Sequence, residues 1–175
     1  ESRFKRRGVA PRRFQKTLFG KGGVQGLDGE AHRHRKRMFM SLMTPERIAE
    51  IGQISANYWS SFAQKWAGMD RVVLYAETRE LLTRTACDWA EVPLQQDEVA
   101  TRTQELSATF DYAGAIGPKH WWARFARRRL ERWMIGLIEK CRSRQLSVAE
   151  DSALYIVSMH RELNGDLLDP QVAPV

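Results

Sequence analysis

At 175 residues the chain has the length of about one ordinary domain, and its 28 Lys and Arg against 21 Asp and Glu leave it at +7. Hydrophobic residues at 43% and charged residues at 28% allow a packed core, which excludes a disordered tail, a collagen-like repeat and a disulfide scaffold. No run approaches the roughly 18 to 20 consecutive apolar residues of a membrane span, since the segment from Ala153 to Met159 is short and interrupted.

In chain order, residues 3–29 are basic and glycine-rich, with Pro11 opening one short helical turn that ends near Leu18. Glu30 to Met43 reads as a helix, with Met38, Phe39, Leu42 and Met43 at helical spacing and an N-terminal half that is almost all cationic. Thr44-Pro45-Glu46 then supplies an N-cap hydroxyl, a proline at the first helical position and an acid in the first turn. The helix they open runs to about Ala67. On it Ile48, Ile51, Tyr58, Trp59, Phe62 and Trp66 fall inside an arc of roughly 100°, the width of a core-facing stripe, so that face is expected to be buried.

Arg71-Val72-Val73-Leu74-Tyr75 is short and β-branched and predicts a brief strand. A helix follows over about Glu77 to Trp89, Pro93 interrupts, and another spans about Asp97 to Asp111 before Gly114 and Gly117-Pro118. The longest runs from about His120 to Arg144. There Trp122, Ala126, Leu130, Trp133, Met134, Leu137 and Cys141 share one side, while Arg124, Arg128 and Arg132 step up the other as a solvated face. A last helix covers about Ser152 to His160, and Asn164-Gly165 makes a turn. Without a repeat or linker, residues 1–175 are expected to form one mainly α unit.

Glu1 opens the chain with neither Met nor a secretory pattern, and residues 167–175 regain apolar character and stop, so both ends are expected to be cut. Cys87 and Cys141 lack CxxC spacing and lie in helix-like stretches; core thiols in a reducing, cytoplasmic compartment are expected.

Three features invite chemistry. The arginines between Arg124 and Arg132, with Trp121, Trp122 and Trp133, resemble a surface for nucleic acid or an anionic membrane, but the interleaved Glu131 and Glu139 favour a solvated face over a packed one. The two thiols have no histidine at ligand spacing. The third is the stretch from Gln25 to Arg37, where His32 and Lys36, four apart, share a helix face beside a glycine-rich loop; the residues suit equally a site for a dianion such as phosphate or haem propionates and a merely basic helix start. A zinc site from His32 and His34 fails, because residues two apart do not face each other on a helix.

Leu18-Phe19-Gly20-Lys21-Gly22-Gly23-Val24-Gln25-Gly26-Leu27-Asp28-Gly29, running into His32-Arg33-His34-Arg35-Lys36 and followed by Met40-Ser41-Leu42-Met43-Thr44, resembles the bacterial haem-thiolate fatty-acid peroxygenases of the cytochrome P450 superfamily. Ala86-Cys87-Asp88-Trp89-Ala90-Glu91-Val92-Pro93-Leu94 and Gly117-Pro118-Lys119-His120-Trp121 extend the likeness over nearly the whole chain. The resemblance implies a mainly α fold, the helical part of a cytochrome P450, ending before the long central helix and the cysteine loop that ligates haem iron. It implies haem as cofactor, held through its propionates by Arg6, His32 and Lys36. Phe19 and Gln25 match positions at the substrate pocket beside the haem, Gln25 as the candidate catalytic residue, and Phe110 and Ala113 match positions lining the fatty-acid channel. No metal ligand is expected within this chain, and neither Cys87 nor Cys141 inherits the axial role.

The activity so implied is hydroxylation, with some decarboxylation, of a long-chain fatty acid at the α or β carbon by hydrogen peroxide, without a redox partner, nucleic acid or membrane span. The isolated stretch is expected to be inactive. Relatives with His at the position of Gln25 are associated with more alkene, relatives with Gln with hydroxylation. From composition alone, the rival is a small basic helical protein that binds nucleic acid or an acidic surface.

Overall fold

The computed structural model describes residues 11–20 and 22–173. Seven α-helices follow one another: α1 (Arg12–Leu18), α2 (Gly29–Ser41), α3 (Pro45–Ala67), α4 (Leu74–Ala90), α5 (Val99–Asp111), α6 (Pro118–Arg142) and α7 (Ala153–Met159), with a 3-10 turn at Val24–Gly26. The described residues contain no strand, only an isolated antiparallel bridge between Arg161 and Leu167.

The termini follow local chemistry. Thr44 caps α3 by accepting from the Arg47 N–H at 3.3 Å, and Ser152 caps α7 by accepting from Tyr155 N–H at 3.2 Å. Gly117 precedes α6 with φ 74°, in the left-handed region that a Cβ disfavours, and so turns the chain from α5 into α6.

The core is built by the second half of the chain. Cys87 of α4, Leu137 and Ile138 of α6, Leu154 of α7 and Leu168 close around one another. The α5–α6 pair is also joined by charge. Arg102 bonds Glu98 at 2.9 Å and the buried Glu105 at 2.7 Å and lies over the Trp133 ring, while Arg129 reaches Glu105 at 2.5 Å. Both cysteines are buried free thiols, as expected.

The expected strand over Arg71 to Tyr75 does not form. Residues 71–73 are irregular and α4 begins at Leu74, where the N–H groups of Ala76 and Glu77 both donate to Val73 O. A strand without a neighbouring edge leaves its backbone unpaired, so the helix, which pairs its own, prevails over β-branched propensity.

Burial also departs from the periodicity in two places. Of the six residues on the α3 stripe only Phe62 is buried, and Ile48 and Trp59 are exposed. On α6, Ala126, Leu130, Leu137 and Cys141 are buried, but Trp122, and Trp121 beside it, are exposed. Both helices carry the predicted faces; no described element covers those parts of them. The face of Arg124, Arg128 and Arg132 is solvated at Arg128 and Arg132, whereas Arg124 is half-buried against α1.

Candidate functional site

His32 and Lys36 lie on successive turns of α2, His32 half-buried and Lys36 exposed. Gln25 is exposed in the 3-10 turn, which packs on α2. Phe19 is the C-cap of α1, its N–H donating to Gln15 O at 2.8 Å, and α1 packs on both α5 and α6. Phe110 is exposed in the last turn of α5, and Ala113, in the turn after it, is buried. One run of chain, residues 19–36, thus carries Phe19, Gln25, His32 and Lys36, while Phe110 and Ala113 stand on the neighbouring α5 end. Arg6 lies outside the described residues.

What fixes this run in place is a set of residues that the motif did not single out. Arg35 is almost fully buried, pairs with Glu162 and donates through Nη1 to Gly22 O at 3.1 Å. Its neighbour His34 bonds Arg161 O at 2.7 Å, with its ring 4.9 Å from that of His160. The signal was present in the sequence: Arg35, Met38 and Leu42 stand at i, i+3 and i+7, and all three are buried. A cation on the apolar face of a helix needs a buried acid. That acid is 127 residues away, out of reach of any local pattern.

Gly22 serves the same loop. Its φ is +79°, and a Cβ there would stand 3.0 Å from a methyl of Val172, so only glycine allows the loop to rest on the C-terminal turn. Facing the start of the loop is a basic cleft of about 410 Å³ between α1, α6 and the C-terminal turn, lined by Lys16, Arg124, Arg127, Arg128 and Arg132 with Glu131 and Asp169. Arg127 bonds Glu131 at 2.9 Å and Leu18 O at 3.2 Å; Arg124 bonds Lys16 O at 2.9 Å.

The donor set suits haem propionates. His32 and Lys36 place an imidazole and an amine on one side of α2, hydrogen-bond donors that match carboxylates rather than a bare metal, and no group of three or more His, Cys, Asp or Glu able to hold a metal ion occurs among the described residues. Both thiols are buried, and burial pushes the Cys87 thiol up to about 11. No helix among the described residues is long and apolar enough to cross a membrane.

No family model matches the chain. Solved structures do. A complex of cytochrome P450SP alpha (CYP152B1) with (R)-ibuprophen superimposes with a TM-score of 0.93 at 47% identity, over 98% of this chain and 42% of that one. Cytochrome P450EX alpha (CYP152N1) with myristic acid gives 0.92 at 40% identity, over 98% and 41%. Ligand-free cytochrome P450 OleT gives 0.93 at 29% identity, over 97% and 41%. The chain therefore spans about two-fifths of the length of these proteins. With that agreement along all seven helices and their loops, the chain belongs to the cytochrome P450 superfamily and carries the helical part of a CYP152-type P450.

Proposed function

We propose that the complete protein is a haem peroxygenase that hydroxylates a long-chain fatty acid at the α or β carbon with hydrogen peroxide, and that this chain supplies propionate contacts and one wall of the substrate pocket. The observation that carries it is the match at 40% identity and a TM-score of 0.92 to a relative holding myristic acid. When bound, haem supplies the oxidising chemistry. His32 and Lys36 hold its propionates by charge-assisted hydrogen bonds, with Arg6 as a third cation. Phe19, Phe110 and Ala113 give the alkyl chain an apolar lining. Gln25 orients polar groups beside the reacting carbon. Unlike an imidazole, its carboxamide donates and accepts without changing charge near neutrality, and this fixed charge favours hydroxylation over alkene formation. The substrate carboxylate, held by residues beyond this chain, serves as the acid–base group, so no redox partner is needed. The two unpaired buried thiols suit a cytoplasmic setting.

The test is the complete protein with myristic acid and hydrogen peroxide and no reductase. Expected are a haem-thiolate Soret band and 2- or 3-hydroxy acid as the main product, with more terminal alkene from Gln25→His. A colourless protein, or one that oxidises the acid only when given a reductase and a reduced nicotinamide, overturns the proposal. This chain alone, titrated with haemin and peroxide, should show no turnover above free haemin.

A further inference from the structure

The carbonyls at the end of a helix have no partner within it, and the helix dipole makes that end partly negative. α1 has seven residues, and after Phe19 N–H has taken Gln15 O, the carbonyls of its last turn depend on outside donors. Two come from α6. Arg124 donates to Lys16 O at 2.9 Å and Arg127 to Leu18 O at 3.2 Å, across more than 100 residues of sequence. The two arginines are three apart and so lie side by side on α6. The helix beneath them is anchored by Ala123, Ala126 and Leu130, all buried. Arg127 is held in turn by Glu131 at 2.9 Å, its side chain 12% exposed; with Nη2 buried and unpartnered among the described residues, its hold on α1 runs through Nη1 alone. The residue that follows the clamped carbonyl of Leu18 is Phe19.

We propose that Arg124 and Arg127 are positioning residues for the fatty-acid pocket: by gripping the last carbonyls of α1 they set where Phe19 stands and where the loop to Gln25 begins. The inference rests on the proposed function, which places Phe19 and Gln25 at the substrate. The loop then has two fixed points. Its start is referenced to α6 through the clamp, and its middle to α2 through Arg35 on Gly22 O at 3.1 Å. A pocket wall tied at both points admits one placement of the alkyl chain; released at its start, it admits several, and the substrate binds more weakly and is oxidised at more than one carbon.

The test uses the complete, haem-loaded protein with Arg127→Met, Arg124→Met, Arg127→Lys and Arg128→Gln, the last altering an exposed residue of the same cleft. Amide hydrogen exchange over residues 16–26 is read beside KM, kcat and product positions for myristic acid with peroxide. Expected for Arg127→Met are faster exchange in that segment, a KM raised about tenfold with kcat within about threefold, a mixed product and an unchanged Soret band. Arg124→Met should follow with about a threefold rise in KM, and it carries the test if Arg127→Met fails to fold. Arg127→Lys, which keeps one donor for Leu18 O, should recover part of the KM, and Arg128→Gln should match the unmodified protein. Unaltered exchange in both Met variants overturns the clamp, and so does faster exchange with KM and product positions unchanged. The exchange measurement needs no substrate, so the two failures separate: an unmodified protein that turns over no fatty acid removes the proposed function, while the exchange rates still report on the grip.

Discussion

From α4 to the C-terminal turn, Leu81, Ile138, Leu154 and Leu168 are each 3% exposed or less, whereas from the start of α2 to the end of α3 Met40, Met43, Ile48 and Trp59 are 40% exposed or more. The first region is held by apolar burial. The second is held mostly by polar and aromatic contacts at its edges: Arg35 with Glu162, His34 with Arg161 O, Tyr58 Oη to Asp88 at 2.5 Å, Trp66 Nε1 to Glu77 at 2.9 Å, and Arg47 with Trp89, each donating to the other's carbonyl at 2.7 and 3.0 Å. Helical spacing marks which side chains share a face. Whether a neighbour arrives to bury that face is a separate matter, and the candidate site sits where it was settled by charged side chains.

Truncating one apolar residue in each region separates the two most directly. Leu81→Ala should cost about 3 kcal/mol and Ile48→Ala under about 1 kcal/mol, read as shifts in urea midpoint at constant m. Equal losses would show that α3 is buried after all. Arg35→Met comes next, at about 2 kcal/mol. It strands Glu162 and Gly22 O, but Glu162 is 29% exposed and water replaces part of what is lost. If that variant is as stable as the parent, the polar account of the second region is wrong.

His32→Ala in the complete protein should weaken haem retention about tenfold, measured as the rate of transfer to an apo-globin acceptor, with little change in urea midpoint of the haem-free form. A histidine that merely starts a helix would leave the transfer rate unchanged. The caps sharpen the contrast at smaller scale. Ser152→Ala, at a fully buried cap, should cost about 1.5 kcal/mol, and Thr44→Ala, at a half-buried one, about 0.7 kcal/mol.

The smallest effect is a dependence on pH. Burial first, then the neighbouring His34, hold His160 below the ordinary histidine value. The folded state therefore takes up a proton there less readily than the unfolded chain, and the stability His160 contributes is present above pH 6.5 and lost as pH falls through its lower folded value. The urea midpoint should drop between pH 7 and pH 5 by less in His160→Gln than in the parent. Cys87 acts at the other end: with its thiol pushed up to about 11 from 9.0, its contribution is complete below pH 9 and fades as pH climbs toward 11.

Seven of the helices, the Thr44 cap, the fold class and the family likeness were legible in the sequence, because caps, proline and glycine signals and apolar spacing act within a few residues and helices satisfy their own backbone. That His32 and Lys36 share a face of α2 was legible for the same reason, since they stand four apart on one helix. The strand expected at Arg71 to Tyr75 failed because a strand depends on an edge from elsewhere. The exposed stripes of α3 and α6 and the burial of Arg35 were decided by which elements meet. So were the pairing of Arg35 with Glu162, the rest of Gly22 on Val172 and the grip of Arg124 and Arg127 on α1: each joins residues more than 100 apart, where no periodicity reaches and only tertiary packing brings charge to carbonyl.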